Sequence, residues 1–174
     1  EGNKRNIGIP FRREILESKG ADFVCNKEPG EIVPDIILSG EIPRQTSFEK
    51  GDRKLMIKDK NGYTQDNLPD DQTLFVKTEK GLFIILGCSH AGIVNIIYHA
   101  IKITGEELIH TIIGGTHLGP ADKQTREKTI ESLKQFDIEK IGVSHCTGLE
   151  MSARLLYEFG KRFFFCNVGT VVEI

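Results

Sequence analysis

The chain has 174 residues, which is enough for one well-packed domain but too few for two ordinary ones. It is 39% hydrophobic and 28% charged, and its net charge of −2 excludes a nucleic-acid or membrane-surface footprint over the whole domain. No apolar run approaches the roughly 20 residues that a membrane helix needs.

Glycine and proline interrupt the first 70 residues repeatedly. We therefore predict that residues 1–70 are an irregular segment packed on a body, and not an independent domain. The elements predicted in this segment are a short helix at 11–19, short strands at 22–25 and 36–38, and a hairpin turn at Asn61-Gly62.

From residue 71 onward, predicted strands alternate with predicted helices. The predicted strands are 73–78, 82–86, 108–113, 140–143, 163–166 and 170–174, with the first two joined as a hairpin. The predicted helices are 93–103, 125–136 and 149–159, and Thr147 and Glu150 form a capping box at the start of the last one. The alternation predicts an α/β fold over 71–174, in which a mostly parallel or mixed sheet and helices form a layered sandwich with right-handed crossovers.

Three of these strands run into a small-residue turn that carries a histidine. These residues are His90, His117 and His145. Turns after parallel strands lie at one edge of the sheet, where open α/β sheets bind ligands. Histidine is both the commonest metal ligand and the usual general base near neutral pH. We therefore predict one shared site for these three residues, and structural roles for His99 and His110.

The four cysteines lack the CxxC spacing of a zinc ribbon, so reduced cytosolic thiols are expected. Cys88 and Cys146 flank two of the histidines. A thiolate at a helix N-terminus has a lowered pKa and can bind a metal, but a cysteine also serves as a small apolar filler in a tight turn. Both interpretations stay open from the sequence. Cys166 follows three phenylalanines and is predicted to belong to the core.

The same turns contain residues suited to binding an anionic ligand. Backbone N–H groups at helix N-termini hold phosphate or carboxylate, and glycines let a ligand approach the backbone closely. The predicted ligand-binding residues are Ser89, Gly115, Thr147 and Gly148. For Ser89 and Thr147, helix capping is favoured over nucleophilic catalysis.

With these motifs in place, the chain resembles the metallo-β-lactamase superfamily, and more narrowly its branch of dihydropterin–ribofuranosylaminobenzene 5′-phosphate synthase-like proteins. The matching stretches are SGEIPR at 39–44, DDQTLFV at 70–76, GCSHAGIVN at 87–95, GGTHL at 114–118 and SHCTG at 144–148. The resemblance implies an αββα metallohydrolase with two zinc ions between two β-sheets. It covers the C-terminal half to two-thirds of such a protein, and the principal zinc motif, HxHxDH, is absent from this chain.

The resemblance also implies roles for individual residues. Cys88 lies where the superfamily usually presents the aspartate that bridges the metals, and His90 follows two residues later. His145 matches the last metal histidine, and His117 resembles an extra histidine that some branches use near the leaving group. The implied catalytic residues are thus His117 and Cys88, and the implied zinc ligands are His90 and His145.

Two functional interpretations follow from the resemblance. In the first, the parent protein is a zinc-dependent hydrolase or synthase acting on a small phosphate- or pterin-bearing molecule, and this chain is inactive or weakly active. In the second, the chain is a non-catalytic module for anion or nucleotide binding or for dimerisation. Because the chain begins at Glu1 and not at Met, we expect a processed or truncated polypeptide. The reduced thiols and the lack of a visible secretory signal favour a cytoplasmic location.

A missing partner sheet would leave one sheet face exposed, with Phe75, Phe83 and Ile85 as its candidate residues. We therefore expect a homodimer, or residues 1–70 folded across that face. A rearrangement of the body into a ferredoxin-like two-layer sandwich is a further alternative. The expected substrate is an anionic small molecule, with neither nucleic acid nor membrane as a partner.

Overall fold

A computed structural model describes residues 5–173. Its strands are β1 (Gly30–Val33), β2 (Ile36–Leu38), β3 (Met56–Asp59), β4 (Gly62–Gln65), β5 (Leu74–Thr78), β6 (Gly81–Ile85), β7 (Ile109–Gly115), β8 (Ile138–Ser144) and β9 (Phe163–Phe165). Its helices are α1 (Arg13–Glu17), α2 (Ile93–Thr104), α3 (Lys123–Leu133) and α4 (Gly148–Phe159). The longest of these helices have 12 residues, so no helix in the described part is long enough to cross a membrane.

Seven strands form one mixed sheet in the order β1-β2-β5-β6-β7-β8-β9, and β3 and β4 form a separate hairpin. The strands from β1 to β6 pair antiparallel, whereas those from β6 to β9 pair parallel and follow one another in chain order. Each of the connections from β6 to β9 leads to the next strand on the same side. Because such crossovers are right-handed, α2, α3 and α4 lie on the same face of the sheet. The predicted α/β sandwich is confirmed.

The strand order excludes the ferredoxin-like alternative. Each of α2, α3 and α4 connects two parallel strands that are direct neighbours in the sheet. A ferredoxin-like fold instead contains split βαβ units, in which another strand lies between the two parallel ones.

The core lies between the sheet and its helices. In the register of the strands, Phe75 pairs with Ile84, Ile84 with Ile112, and Ile112 with Ile141. This row faces the helices, and each of its side chains is at most 1% exposed. Burial of such large apolar side chains stabilises the fold by roughly 1.5–3 kcal/mol each, which makes this row a main source of its stability.

The opposite face of the sheet carries a second apolar row. It consists of Leu38, Leu74, Ile85 and Ile113, which are paired in register and half-buried. The prediction that Phe75 belongs to an exposed patch is wrong, because its register places it in the helix-facing row. Phe83 lies on the opposite face but is only 5% exposed, so it is not part of such a patch either.

The N-terminal segment extends the same sheet. The strand predicted at 36–38 is confirmed as β2, and the hairpin at Asn61-Gly62 is confirmed as β3 and β4. The predicted helix is shorter than expected, since α1 covers five residues. Before β2 the chain forms β1, which was not predicted. Side chains from this segment also reach the body, where Ile37 and Phe48 pack against the core.

Two predicted strands are absent from the described residues. Residues 22–25 form no strand, and the Phe23 ring instead lies 4.9 Å from the Arg13 guanidinium. Residues 170–173 are also irregular, because the chain turns at Gly169, whose φ is +92°, and Thr170 N–H donates to Asn167 O. The last residue of that prediction, Ile174, lies outside the described part.

Candidate functional site

The ends of β6, β7 and β8 meet at one edge of the sheet, as predicted. In the turns that follow these strands, Ser89, His117 and His145 have φ values of +62°, +51° and +53°. Left-handed backbone is uncommon for residues other than glycine, and such strain clusters at functional sites. Five non-glycine residues of the described part have positive φ, and three of them lie at this edge. The backbone therefore marks the same edge as the histidines do.

An aspartate outside the predicted site holds the first of these turns. Asp71 accepts hydrogen bonds from the backbone N–H of Cys88, at 3.2 Å, and of His90, at 2.5 Å. Gly87 leaves room for this contact, since a Cβ there would lie 3.0 Å from Asp71 Oδ1. Asp71 belongs to the matching stretch 70–76, but its role could not be assigned from the sequence because it lies 17 residues from Cys88.

One group of side chains at this edge combines two thiols and an imidazole. The Sγ atom of Cys88 lies 3.2 Å from Nε2 of His145, and Cys146 Sγ–H donates to Cys88 O at 3.3 Å. One donor atom from each of the three residues lies within 4.8 Å of the others. Burial raises the pKa of both thiols, that of Cys146 to about 11. Without a bound cation, both cysteines are therefore neutral thiols near pH 7.

A second group lies beside the first. The rings of His90 and His117 are 4.2 Å apart between centroids, and His117 Nε2 lies 3.9 Å from Asp52 Oδ2. Burial and the neighbouring His90 lower the pKa of His117, so its neutral imidazole is favoured. Both ring nitrogens of His117 and Nδ1 of His90 are buried without a hydrogen-bond partner among the described residues. Such buried nitrogens are available to a ligand.

A pocket of about 340 Å³ opens over the second group. Its volume is in the range of small-molecule sites. His90 and His117 form part of its lining, together with a loop that carries three basic side chains. These are Lys50, Arg53 and Lys54, and acidic lining is supplied by Glu49, Asp52 and Asp122. The pocket can therefore hold a small polar or anionic molecule against two imidazoles.

The pocket-lining loop is attached to the N-terminus of α2 by reciprocal hydrogen bonds. The Glu49 carboxylate accepts from the backbone N–H of Val94 and of Asn95, both at 3.0 Å. In return, Asn95 Oδ1 accepts from the backbone N–H of Gln45 and of Thr46, both at 2.8 Å. Burial raises the pKa of Glu49. Asn95 is the last residue of the stretch GCSHAGIVN, so that stretch holds the pocket wall as well as the histidine.

Arg44 supports the same loop from outside. Its guanidinium donates to the backbone carbonyl of Glu49 at 3.3 Å and to that of Asn67 at 3.1 Å. Arg44 therefore has a structural role between two loops.

Two predicted ligand-binding side chains tie the turns to one another. Ser89 Oγ–H donates to Gly115 O at 2.6 Å, and Thr147 Oγ1 accepts from both N–H and Oγ1–H of Thr116, at 3.1 and 3.0 Å. The predicted capping box is wrong, because the Thr147 side chain makes no cap hydrogen bond to α4. Its hydroxyl is already bound to Thr116, 31 residues away.

The two glycines predicted to bind a ligand lie at the same edge. Gly115 is buried, and a Cβ there would lie 2.8 Å from Cys146 Sγ, so this glycine makes room for the sulfur. Gly148 is exposed, with φ of +70°, at the start of α4. The ligand-binding roles of these glycines, and of Ser89 and Thr147, stay predictions.

The remaining histidines lie away from this edge. His99 Nε2 is 2.9 Å from Ser39 O, and His110, near the start of β7, has Nδ1 2.9 Å from Thr111 Oγ1. Both are buried, as expected for structural residues.

Comparison with known proteins identifies relatives that are longer than this chain. No family model matches it. Over 164 residues it is 35% identical to the 7,8-dihydropterin-6-methyl-4-(β-D-ribofuranosyl)-aminobenzene-5′-phosphate synthase of Methanocaldococcus jannaschii. This match covers 92% of the present chain and 56% of the synthase. Over 170 residues it is 29% identical to an uncharacterized protein of the same organism, covering 98% and 62%.

A solved structure has the same fold. It is the crystal structure of a metal-dependent hydrolase of the β-lactamase superfamily, with a TM-score of 0.77 and 27% identity over 88% of this chain and 58% of the other. The chain thus spans less than two thirds of the length of each of these relatives.

Proposed function

Because the chain belongs to the metallo-β-lactamase superfamily, we propose that it carries part of the active site of a zinc-dependent, hydrolase-type enzyme. In the whole protein this enzyme acts on a small phosphate- or pterin-bearing substrate, and the chain by itself is weakly active or inactive. The observation that carries the proposal is the 3.2 Å contact between Cys88 Sγ and His145 Nε2 at the strand edge, beside the pocket. The two named relatives are a synthase and a hydrolase, so neither name alone determines the reaction.

The donor groups at the edge fit zinc. Thiolate sulfur and imidazole nitrogen are the ligands that zinc prefers, and Cys88 and His145 supply one of each. His90 is a further proposed ligand, since its Nδ1 is buried and has no hydrogen-bond partner in the described part of the chain. Zinc, when bound, supplies a Lewis acid and lowers the pKa of a bound water.

The proposed role of His117 is proton transfer. Its lowered pKa keeps the imidazole neutral near pH 7, and both ring nitrogens lack a hydrogen-bond partner within residues 5–173. A neutral imidazole that faces the pocket can accept a proton at one nitrogen and hold the other toward Asp52, 3.9 Å away. His117 is thus suited to act as a general base, or as the acid that protonates a leaving group after it has gained a proton.

The pocket also supports the second function considered above, non-catalytic anion binding. Lys50, Arg53 and Lys54 line it, and all three are exposed, so their charges are available to a phosphate. A phosphate group on the substrate of an enzyme would use the same residues. The two functions therefore share the binding step and differ in whether chemistry follows.

The test combines zinc-dependent hydrolysis with phosphate binding on the whole chain. We expect slow, zinc-stimulated hydrolysis of bis(4-nitrophenyl) phosphate that falls at least tenfold in His117→Gln. Binding of inorganic phosphate is measured by calorimetry. Phosphate should bind the wild type and the control Lys60→Ala, because Lys60 lies outside the pocket. It should bind Lys54→Ala weakly or not at all. Phosphate binding without hydrolysis would favour the non-catalytic module. If His117→Gln keeps the hydrolysis and Lys54→Ala keeps the phosphate binding, both functions are contradicted.

We also propose that the chain forms a homodimer through the half-buried apolar row on the sheet face opposite α2, α3 and α4. Leu38, Leu74, Ile85 and Ile113 present a continuous apolar strip there. Light scattering at high concentration measures the mass directly, and a strictly monomeric species would contradict the dimer.

A further inference from the structure

The thiol of Cys146 lies beside the proposed zinc ligands, and the resemblance assigns no role to it. Its Sγ–H donates to the backbone carbonyl of Cys88 at 3.3 Å. Together with Cys88 Sγ and a ring nitrogen of His145, the Cys146 sulfur belongs to a set of donor atoms that all lie within 4.8 Å of one another. Cys88 and Cys146 are half-buried, whereas His145 is exposed, so the group is open to solvent on one side.

Two features of the backbone bring these side chains together. His145 and Cys146 are consecutive, and the left-handed φ of +53° at His145 starts the short 3₁₀ turn His145–Thr147, so both side chains reach one group. On the facing strand, Gly115 provides the space for the sulfur, because a Cβ there would lie 2.8 Å from Cys146 Sγ. A larger residue at position 115 would displace the thiol from Cys88.

The separations suit a tetrahedral metal ion. Zinc–sulfur and zinc–nitrogen bonds of about 2.3 and 2.0–2.1 Å place tetrahedral donors about 3.6–3.8 Å apart. The 3.2 Å between Cys88 Sγ and His145 Nε2 is slightly shorter than this, and the 4.8 Å limit for the whole group is slightly longer. Small side-chain rotations bring all three donors to bonding distance.

We propose that Cys88, His145 and Cys146 form one soft-donor site for a thiophilic divalent cation, with Cys146 as its third protein ligand. This inference rests on the proposed function in one respect, since the site lies at the strand edge that is proposed to bind zinc. These three protein ligands leave a fourth tetrahedral position, which the proposed ligand His90, a water molecule or substrate can occupy. Metal binding releases the two thiol protons to solvent. The resulting two thiolates and the imidazole favour Zn²⁺, Co²⁺ or Cd²⁺ over Mg²⁺, which prefers oxygen ligands. The chain therefore holds a metal ion through residues of its own, without an HxHxDH motif.

The test uses Co²⁺ as a spectroscopic substitute for zinc, titrated into the reduced whole chain without oxygen. Thiolate ligation gives a near-ultraviolet charge-transfer band whose intensity follows the number of bound thiolates. We expect this band in the wild type, about half of it in Cys146→Ser, and no change in the control Cys166→Ser. Zinc affinity, measured by competition with a chromophoric chelator, should fall at least tenfold in Cys146→Ser, and excess Mg²⁺ should leave the band unchanged.

A second variant keeps the test valid if Cys146→Ser does not fold. Gly115→Ala retains all three ligands but displaces the Cys146 sulfur, so it should also lower zinc affinity. The inference is overturned if the wild type shows no thiolate band, or if Cys146→Ser keeps the full band and affinity. A thiolate band in a chain that neither hydrolyses the phosphate ester nor binds phosphate would leave this site standing and contradict the proposed function. Zinc-dependent hydrolysis with an unchanged band in Cys146→Ser would contradict this site and leave the proposed function standing.

Discussion

The carboxylate of Glu49 should contribute more to stability than an ordinary helix cap. The first N–H groups of a helix have no partner within it, and Gly92, which precedes α2, has no side chain to offer. Glu49 accepts from Val94 and Asn95 at 3.0 Å each and is only 5% exposed. In Glu49→Ala, both of these backbone N–H donors lose their partner, and each buried donor left unpaired costs about 1–3 kcal/mol. Because water from the neighbouring pocket reaches part of the vacated space, we expect a total of about 2–4 kcal/mol.

The measurement is urea unfolding followed by far-ultraviolet circular dichroism. The matched control is Asp122→Ala, because Asp122 caps α3 through Thr125 N–H at 2.7 Å but is exposed. The control should lose only about 1 kcal/mol in free energy of unfolding. If Glu49→Ala loses no more than Asp122→Ala, with unchanged m-values, then Glu49 does not anchor the pocket-lining loop to α2 and the reasoning is refuted.

Three further predictions concern the same framework. Gly92→Ala should lose at least about 2 kcal/mol more in free energy of unfolding than Gly105→Ala. Both glycines have positive φ, but only at Gly92 would a Cβ meet Glu49, at 2.2 Å. Equal losses in urea unfolding would contradict this. Thr147→Val should lose about 1–3 kcal/mol in free energy of unfolding, because the N–H and Oγ1–H donors of Thr116 become unpaired. Its control, Thr129→Val, removes a buried hydroxyl without a described partner and should change that free energy by less than about 0.5 kcal/mol. Burial raises the pKa of Glu49 above 4.5, so the additional stability linked to its protonated form is complete below that pH and should be lost as the pH rises through the raised pKa. Relative to the non-titrating Glu49→Gln, the wild type should therefore become less stable as the pH rises above 4.5, and a constant difference would count against the shift.

Most of the body could be predicted from the sequence because its elements have strong local patterns. The continuous apolar runs of β6, β7 and β8 alternate with amphipathic helices, and this rhythm predicts parallel strands that end at one edge. The strand β1 lacks such a pattern, since it is short, mostly exposed and paired through a turn at Asp35, whose φ is +67°. Its existence depends on the neighbouring β2 more than on its own residues.

The partition of the histidines could not be predicted. The sequence places three of them at one edge, but the structure pairs His90 with His117 and His145 with Cys88. These pairings depend on left-handed backbone at Ser89, His117 and His145, which residue type alone disfavours. The shared site is thus two adjacent groups, one suited to a cation and one suited to proton transfer.

The supporting residues were also missed, for a different reason. Asp71 and Glu49 act on residues 17 to 46 positions away in the chain. No local periodicity reports a hydrogen bond between a loop carboxylate and a distant backbone N–H. Such partners become visible only when the strands and helices are in place.

The strand order also bears on how the chain reaches its native state. From β6 to β9, every strand pairs with the strand that precedes it in the chain, so each new pairing closes a loop of only one hairpin or one helix. Short loops have a low entropic cost of closure, and a chain rich in near-neighbour contacts folds faster than one that depends on distant pairings. The exception is the pairing of β2 with β5, which closes the long segment that contains the pocket-lining loop. Assembly from β5 toward β9 would thus precede the attachment of β1 and β2, and the pocket would be completed last.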